Sequence, residues 1–409
     1  MQSSGVFNKF GSRLAGTVNL ENAIDFMLDK LKEYGLDNVH GEEVNISRWE
    51  RGNESATLLA PRVQKLAMLG LGDSIATAPG GIVAEAIVVN SFEELDSVNK
   101  SVPGKIVVFN EDWVSYGETV KYRDYSAASA AFYGAVATLI RSVTPFSLNT
   151  PHTGWQDYND SVPRIPTACI TPEDAHMLRR MYDRGDKLII NITMGARHLP
   201  NSISRNTVAE LKGVIDPDKV VLVSGHLDSW DVGTGAMDDG GGAFISWGAL
   251  ALLRKLNFKS RRTIRSVLWT AEEIGLVGAF AYAERHRGEN QNFNLLMESD
   301  EGTFNPLGIE FGGSDQAACV IQEILKLLHP INATSLSRSD NIGSDIMVWA
   351  KEGIPRASLL NENEKYFWYH HSDADTMDVE DSENLDKCLA VWTTVAYVVA
   401  DLSIDIPRK

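Results

Sequence analysis

The 409-residue chain carries 55 acidic against 38 basic residues, a formal charge of -17, and is 44% hydrophobic. That length allows two domains rather than one small core. So acidic a chain is a poor partner for nucleic acid or an anionic membrane, and no run reaches the roughly 20 apolar residues of a membrane span. Cys169, Cys319 and Cys388 lie far apart with no CxxC pair, which excludes a disulfide framework and a thiolate zinc site. Cys319 and Cys388 sit in apolar, helix-like stretches and are expected to be buried. The opening MQSSGVFNKFGSRLAG lacks the apolar core of a signal peptide. Six N-x-S/T sequons, at Asn45, Asn53, Asn99, Asn159, Asn191 and Asn332, are compatible with secretion.

In chain order, Ala23, Met27, Leu28 and Leu31 recur at helical spacing and predict an amphipathic helix over 20–36. Ala78-Pro79-Gly80-Gly81 breaks the pattern. Beyond it come a short buried strand at 104–109, a small-residue helix at 127–138 and a strand at 188–192. The span 78–195 therefore reads as a compact insert with few catalytic residue types. From about 205 strands alternate with helices: strands at 219–224, 263–269, 294–297 and 355–360, helices at 242–256, 278–287, 316–328 and 385–402. This alternation predicts an α/β fold, an α/β/α sandwich with a mostly parallel sheet, built from 1–77 and 196–409. In such sheets functional groups gather at the carboxyl ends of strands.

Five polar clusters fall on those ends. In Ser224-Gly225-His226-Leu227-Asp228, residues two apart face the same side of a strand, so His226 and Asp228 can point into one cavity. A capped strand end with a satisfied histidine fits the same residues. Asp238 and Asp239 lead a glycine-rich turn into a helix. They suit an N-cap or a carboxylate bridging two cations, and would repel a phosphate. Glu272 and Glu273 end an apolar strand, where two carboxylates are costly without partners. One can bind a metal while the other serves as general base, or both can start a solvated helix. Asp300 follows the strand at 294–297. The run Tyr369-His370-His371-Ser372-Asp373-Ala374-Asp375-Thr376 supplies two histidines. Together the clusters offer the nitrogen and oxygen ligands that zinc accepts. The remaining histidines read as surface or structural residues. Phe367, Trp368 and Tyr369 read as packing, and no serine or cysteine triad is present.

The ordered set H-x-D, D-D-G, E-E, S-D and H-x-x-x-D-T closely resembles that of the co-catalytic zinc aminopeptidase and carboxypeptidase family. The similarity covers nearly the whole chain, and the 78–195 block resembles that family's non-catalytic protease-associated insert. The resemblance implies two zinc ions per chain. His226 and Asp300 would bind one, Glu273 and His371 the other, and Asp238 would bridge them. Glu272 would be general base and acid, with Asp228 the supporting carboxylate near His226. His371, four residues before Asp375, fits the motif better than His370. One departure is Ile346 after Gly343-Ser344-Asp345, where many relatives carry histidine. The resemblance also implies a homodimeric, secreted or lysosomal dipeptidase-like carboxypeptidase acting on small unblocked peptides, with no nucleic acid and no membrane insertion. The alternatives are a zinc aminopeptidase on longer peptides, a glutaminyl-cyclase-type acyl transferase on the same fold, and a receptor-like relative without catalysis.

Overall fold

The computed structural model describes residues 9–409. Internal contacts divide the chain into two compact units. The first holds the residues up to Ile46 together with Ser202–Tyr366 and Asp375–Lys409. The second holds Ser47–Asn201 and Phe367–Ala374.

The chain begins with α1 (Val18–Glu33), capped by Thr17 Oγ1, which accepts from the Leu20 amide. Leu20, Ala23, Ile24, Met27, Leu28 and Leu31 form its buried stripe. Then comes β1 (Asp37–Glu50), and the second unit is built from β2 (Glu54–Ala60), β3 (Gln64–Leu66), β4 (Met68–Gly70), β5 (Ile82–Val89), α2 (Phe92–Ser97), β6 (Ile106–Phe109), α3 (Tyr116–Phe132), β7 (Ala137–Arg141), β8 (Thr167–Ile170), α4 (Pro172–Asp183) and β9 (Leu188–Met194). Its sheet runs β3-β2-β9-β5-β6-β7-β8-β4, parallel from β5 to β8 and antiparallel at both flanks. Alternate strand residues fill two cores. Val88, Val108 and Leu139 pack with Leu178 and Met181 of α4, and Ile87, Val107 and Ile140 with Ala127 and Ala130 of α3. Because β2 pairs with β9, this unit begins before residue 78. Helix α3 spans Tyr116–Phe132, capped by Ser115, rather than 127–138, and the residues that follow it from Ala137 form strand β7.

In the first unit the chain continues through β10 (Arg197–Leu211), β11 (Asp216–His226), α5 (Gly241–Lys255), β12 (Arg262–Trp269), α6 (Val277–Arg285), β13 (Phe293–Glu298), β14 (Pro306–Gly312), α7 (Asp315–Leu325), β15 (Ser335–Arg338), β16 (Arg356–Asn361) and α8 (Ser382–Asp401). The sheet order is β1-β10-β12-β11-β13-β16-β14-β15, with β12, β11, β13 and β16 mutually parallel. In β11, Val221 and Val223 face one core with helices α5 and α8, while Val220 and Leu222 face the other with Ala279 and Tyr282 of α6. Both faces being covered explains the continuous β-branched run at 219–224, and each fully buried Val or Leu contributes about 1.5–3 kcal/mol. The expected α/β/α sandwich with a mostly parallel centre is the observed one. Cys388 is buried as expected, but Cys319 is exposed on α7. Its neighbours Ala317, Ala318 and Ile321 take the buried face of that helix. No helix among the described residues is long and apolar enough to cross a membrane.

A polar lock ties the first unit's start to the end of α6. His286 Nε2 lies 2.9 Å from Glu42, its Nδ1 lies 2.9 Å from Glu289, and Arg285 donates to Glu42 at 2.8 Å. Burial pulls the His286 pKa down, but the hydrogen bonds to Glu42 and Glu289 outweigh it and leave it raised. Burial likewise pushes Glu42 up, and His286, His40 and Arg285 together bring it well below the carboxylate range. A raised histidine pKa stabilises the fold fully below the unfolded value and loses that contribution as pH rises through the folded value. His286→Gln should therefore cost on the order of 1 kcal/mol more at pH 5.5 than at pH 8.5. Urea midpoints of both proteins at the two pH values test this, and an equal loss at both would refute it.

Candidate metal centre

In sequence order the chain passes from β11 to β12 on one side and to β13 on the other. The carboxyl edge of β11 is thus a topological switch point, where parallel sheets leave a crevice. His226 is the last residue of β11, Glu272 and Glu273 follow β12, and Asp300 follows β13. Asp238 sits in the turn before α5.

Three ligand atoms converge there. His226 Nε2 lies 3.1 Å from Asp238 Oδ1 and 3.2 Å from Asp300 Oδ1, and Glu272 Oε2 is 4.0 Å from the same nitrogen. A single ring N–H can satisfy only one of two carboxylates, whereas a cation between the three groups satisfies all of them. His226, Asp238 and Asp300 offer one donor each, all within 4.8 Å of one another. The electrostatics agree. Burial lowers the His226 pKa, yet Asp300, Asp238 and Glu272 outweigh it and hold the pKa well above the usual imidazole value. Burial also drives Glu272 well above the carboxylate range, helped by Asp300 and opposed by His226. A site this rich in buried carboxylate calls for positive charge, and one histidine with carboxylates suits a zinc-class ion.

The supporting contacts fix this geometry. His226 Nδ1 donates to the backbone carbonyl of Asp228 at 3.0 Å, which turns Nε2 toward Asp238 and Asp300. The Asp228 carboxylate lies further from the ring, at 3.8 Å. It accepts instead from the Glu272 and Glu273 amides, at 3.1 and 3.3 Å. One residue therefore orients both the histidine and the glutamate pair. Ser344 Oγ donates to Asp300 Oδ2 at 2.6 Å.

Several further residues hold the site together. Asp239, fully buried, accepts from the amides of His226 and Gly242. Asp375 accepts from the amides of Ala236, Met237 and Asp238 at 2.8–3.1 Å, so the last motif holds the turn that carries Asp238. Arg13, completely buried, donates to the carbonyls of Leu227, Thr234 and Gly235 at 2.6–2.9 Å and thereby clamps the His226 loop to the Asp238 turn. A lone arginine in a glycine-containing N-terminal stretch carries no motif that could have announced it. Glu298, two residues before Asp300, is buried and accepts from the amides of Ser344 and Ile346.

His226, Asp228, Asp238, Glu272, Glu273 and Asp300 thus lie together on the first unit. His371 belongs to the second, on Phe367–Ala374. Its Nδ1 lies 3.2 Å from the Thr153 carbonyl and 3.4 Å from Arg123 Nη1, and its ring stacks on His370. Phe367 and Trp368 pack in the second unit against Tyr116 and Phe146.

A mostly parallel α/β/α sheet with a histidine and carboxylates converging at its switch point suits a metal-dependent enzyme. The model of peptidase family M28 matches residues 206–396. Carboxypeptidase Q of Homo sapiens is 53% identical over 399 residues, covering 98% of this chain and 84% of that one. The crystal structure of a peptidase M28 precursor from Shewanella amazonensis SB2B superposes with a TM-score of 0.95 at 33% identity, covering 100% of this chain and 94% of that one. A zinc aminopeptidase from Bacillus subtilis shares the fold, with a TM-score of 0.72 at 20% identity over 99% of this chain and 95% of that one. The chain belongs to peptidase family M28.

Proposed function

We propose that this chain is a zinc exopeptidase with two ions per chain, a carboxypeptidase of the dipeptidase type that acts on small unblocked peptides. The observation that carries the reading is the convergence of His226, Asp238 and Asp300 on one point, with Glu272 beside it. His226 and Asp300 would hold one ion and Glu273 the other. Asp238 would be available to both ions, and the H-x-x-x-D-T spacing would assign His371 to the second. The protease-associated character of the second unit is part of the same reading. When bound, the metal pair supplies Lewis acidity, lowering the pKa of a water and polarising the scissile carbonyl.

The remaining work falls to the chain's own residues. Asp228 holds the backbone of Glu272 and Glu273 while its carbonyl fixes the His226 tautomer. Glu272 takes the proton of the attacking water at its carboxylate and returns it to the departing amine. The carboxypeptidase reading is supported by the 53% identity to human carboxypeptidase Q.

The test is amino-acid release from an unblocked dipeptide by zinc-loaded and by chelator-stripped protein. Release is expected from the loaded form alone and should return on adding zinc. Equal release without metal would end the metallopeptidase reading. Residues removed one by one from the amino end of long peptides, with dipeptides left intact, would make the enzyme an aminopeptidase instead.

A further inference from the structure

The carboxyl edge of the second unit's parallel strands carries buried charge that the metal centre does not use. Glu111 stands two residues beyond the end of β6, and Arg141 ends β7. Phe109 and Ile140 are register partners, so the two groups leave the sheet at one edge. Glu111 is 1% exposed and Arg141 5%. Among the described residues neither Glu111 oxygen has a hydrogen-bond partner, nor do Nε and Nη1 of Arg141. No ion pair joins them, although each charge acts on the other. His152, also buried, has its Nε2 in the same condition. Its amide donates to Ser142 Oγ at 2.9 Å, and its Nδ1 is bonded to the carbonyl of His370. The edge is therefore joined, within one unit, to the segment bearing His370 and His371. Asp112 and most of the loop 145–150 beside it are exposed, so the edge lies near solvent.

A buried carboxyl with no hydrogen-bond partner, beside a guanidinium with two unanswered nitrogens, costs several kcal/mol unless a ligand or water answers them. An isolated anion would have no use for Glu111, and an isolated cation would be repelled by Arg141. A ligand with both charges answers both groups at once.

We propose that Arg141 and Glu111 form a subsite for a small zwitterion, the guanidinium binding an α-carboxylate and Glu111 an α-ammonium. The ligand is an unblocked dipeptide or a free amino acid, and in naming that class the inference rests on the peptidase reading. His152 Nε2 supplies a third hydrogen bond. The planar fork of arginine matches a carboxylate in two bonds, which a lysine at that position could not reproduce.

The experiment uses the zinc-loaded full chain and its Arg141→Gln, Arg141→Lys and Glu111→Gln variants, with thermal melting as the control for folding. Substrates are an unblocked dipeptide, its C-terminal amide and its N-acetyl form. Arg141→Gln should raise KM for the unblocked dipeptide roughly ten- to a hundredfold, the factor of a lost charge-assisted bond. It should leave kcat and the KM of the amide nearly unchanged, with partial rescue in Arg141→Lys. Glu111→Gln should do the same relative to the N-acetyl form. Tm of each variant is measured alongside, so that KM changes are read only on folded protein. No KM change, or equal changes on blocked and unblocked peptides, would overturn the subsite. Should the native protein cleave none of these peptides, the peptidase reading fails on its own. Calorimetric titration with the dipeptide and with a free amino acid then decides the subsite. Tighter binding to the native protein than to Arg141→Gln supports it, and equal or absent binding overturns it. The better-bound ligand tells substrate ends from released product.

Discussion

Replacing Glu272 with glutamine is expected to lower kcat by about 10²–10⁴-fold while zinc content stays at the native level. The backbone of Glu272 is held by Asp228, whose oxygens accept from the amides of Glu272 and Glu273. The glutamine side chain would therefore stand where the carboxylate stood. Its oxygen remains an acceptor but has no capacity to carry a proton away. His226, Asp238 and Asp300 are untouched, so the donor set persists. The side chain of Glu272 is only 14% exposed, which shields the transferred proton from bulk solvent. Dipeptide turnover and zinc content by atomic absorption should be measured on the same preparation. Normal turnover would remove Glu272 from the reaction, and loss of zinc alongside turnover would recast it as a ligand.

Asp238→Ala is expected to lose metal and activity together, with apparent zinc affinity falling by more than about a hundredfold. Asp238 Oδ1 lies against His226 Nε2, and its amide is fixed by Asp375, so this carboxylate is held in place for a cation. Stability should respond with opposite signs in the two states. Without metal, removing one of several mutually repelling buried carboxylates should leave Tm unchanged or slightly raised. With zinc in excess, the native protein gains the binding free energy and the variant does not. Chelator-competition titrations and paired melting curves check both halves. Full zinc occupancy in Asp238→Ala would contradict the bridging role.

The parts of the site legible in the sequence share a local signal. His226, Glu272, Glu273 and Asp300 stand at or just past the ends of apolar strands, and polar residues there are costly unless they work together. The alternation of strands and helices from 205 onward likewise yielded the sandwich, because a sheet covered on both faces writes itself as continuous apolar runs. Helix α3 was placed late for the converse reason. Its first turns, Tyr116-Gly117-Glu118-Thr119, carry no clear apolar stripe, and only the Ser115 cap marks the start. Cys319 showed the limit of reading burial from an apolar neighbourhood, since position on the helix decides which face it shares.

Residue types, their order and their attachment to strand ends were determined by the chain itself, and with them the metal chemistry and the fold class. Which of these groups meet was decided by tertiary structure. Arg13 reaches the carbonyls of Leu227, Thr234 and Gly235 across more than two hundred residues of sequence. Asp375 caps the turn at 236–238 from near the other end of the chain, and the Asp228 carboxylate turns to the Glu272 and Glu273 amides more than to its neighbouring histidine. These are backbone hydrogen bonds formed wherever folding brings a donor to an unsatisfied acceptor. They depend on distance and burial, so even where a motif names the acceptor, as with Asp228 and Asp375, the sequence does not name the amides it meets.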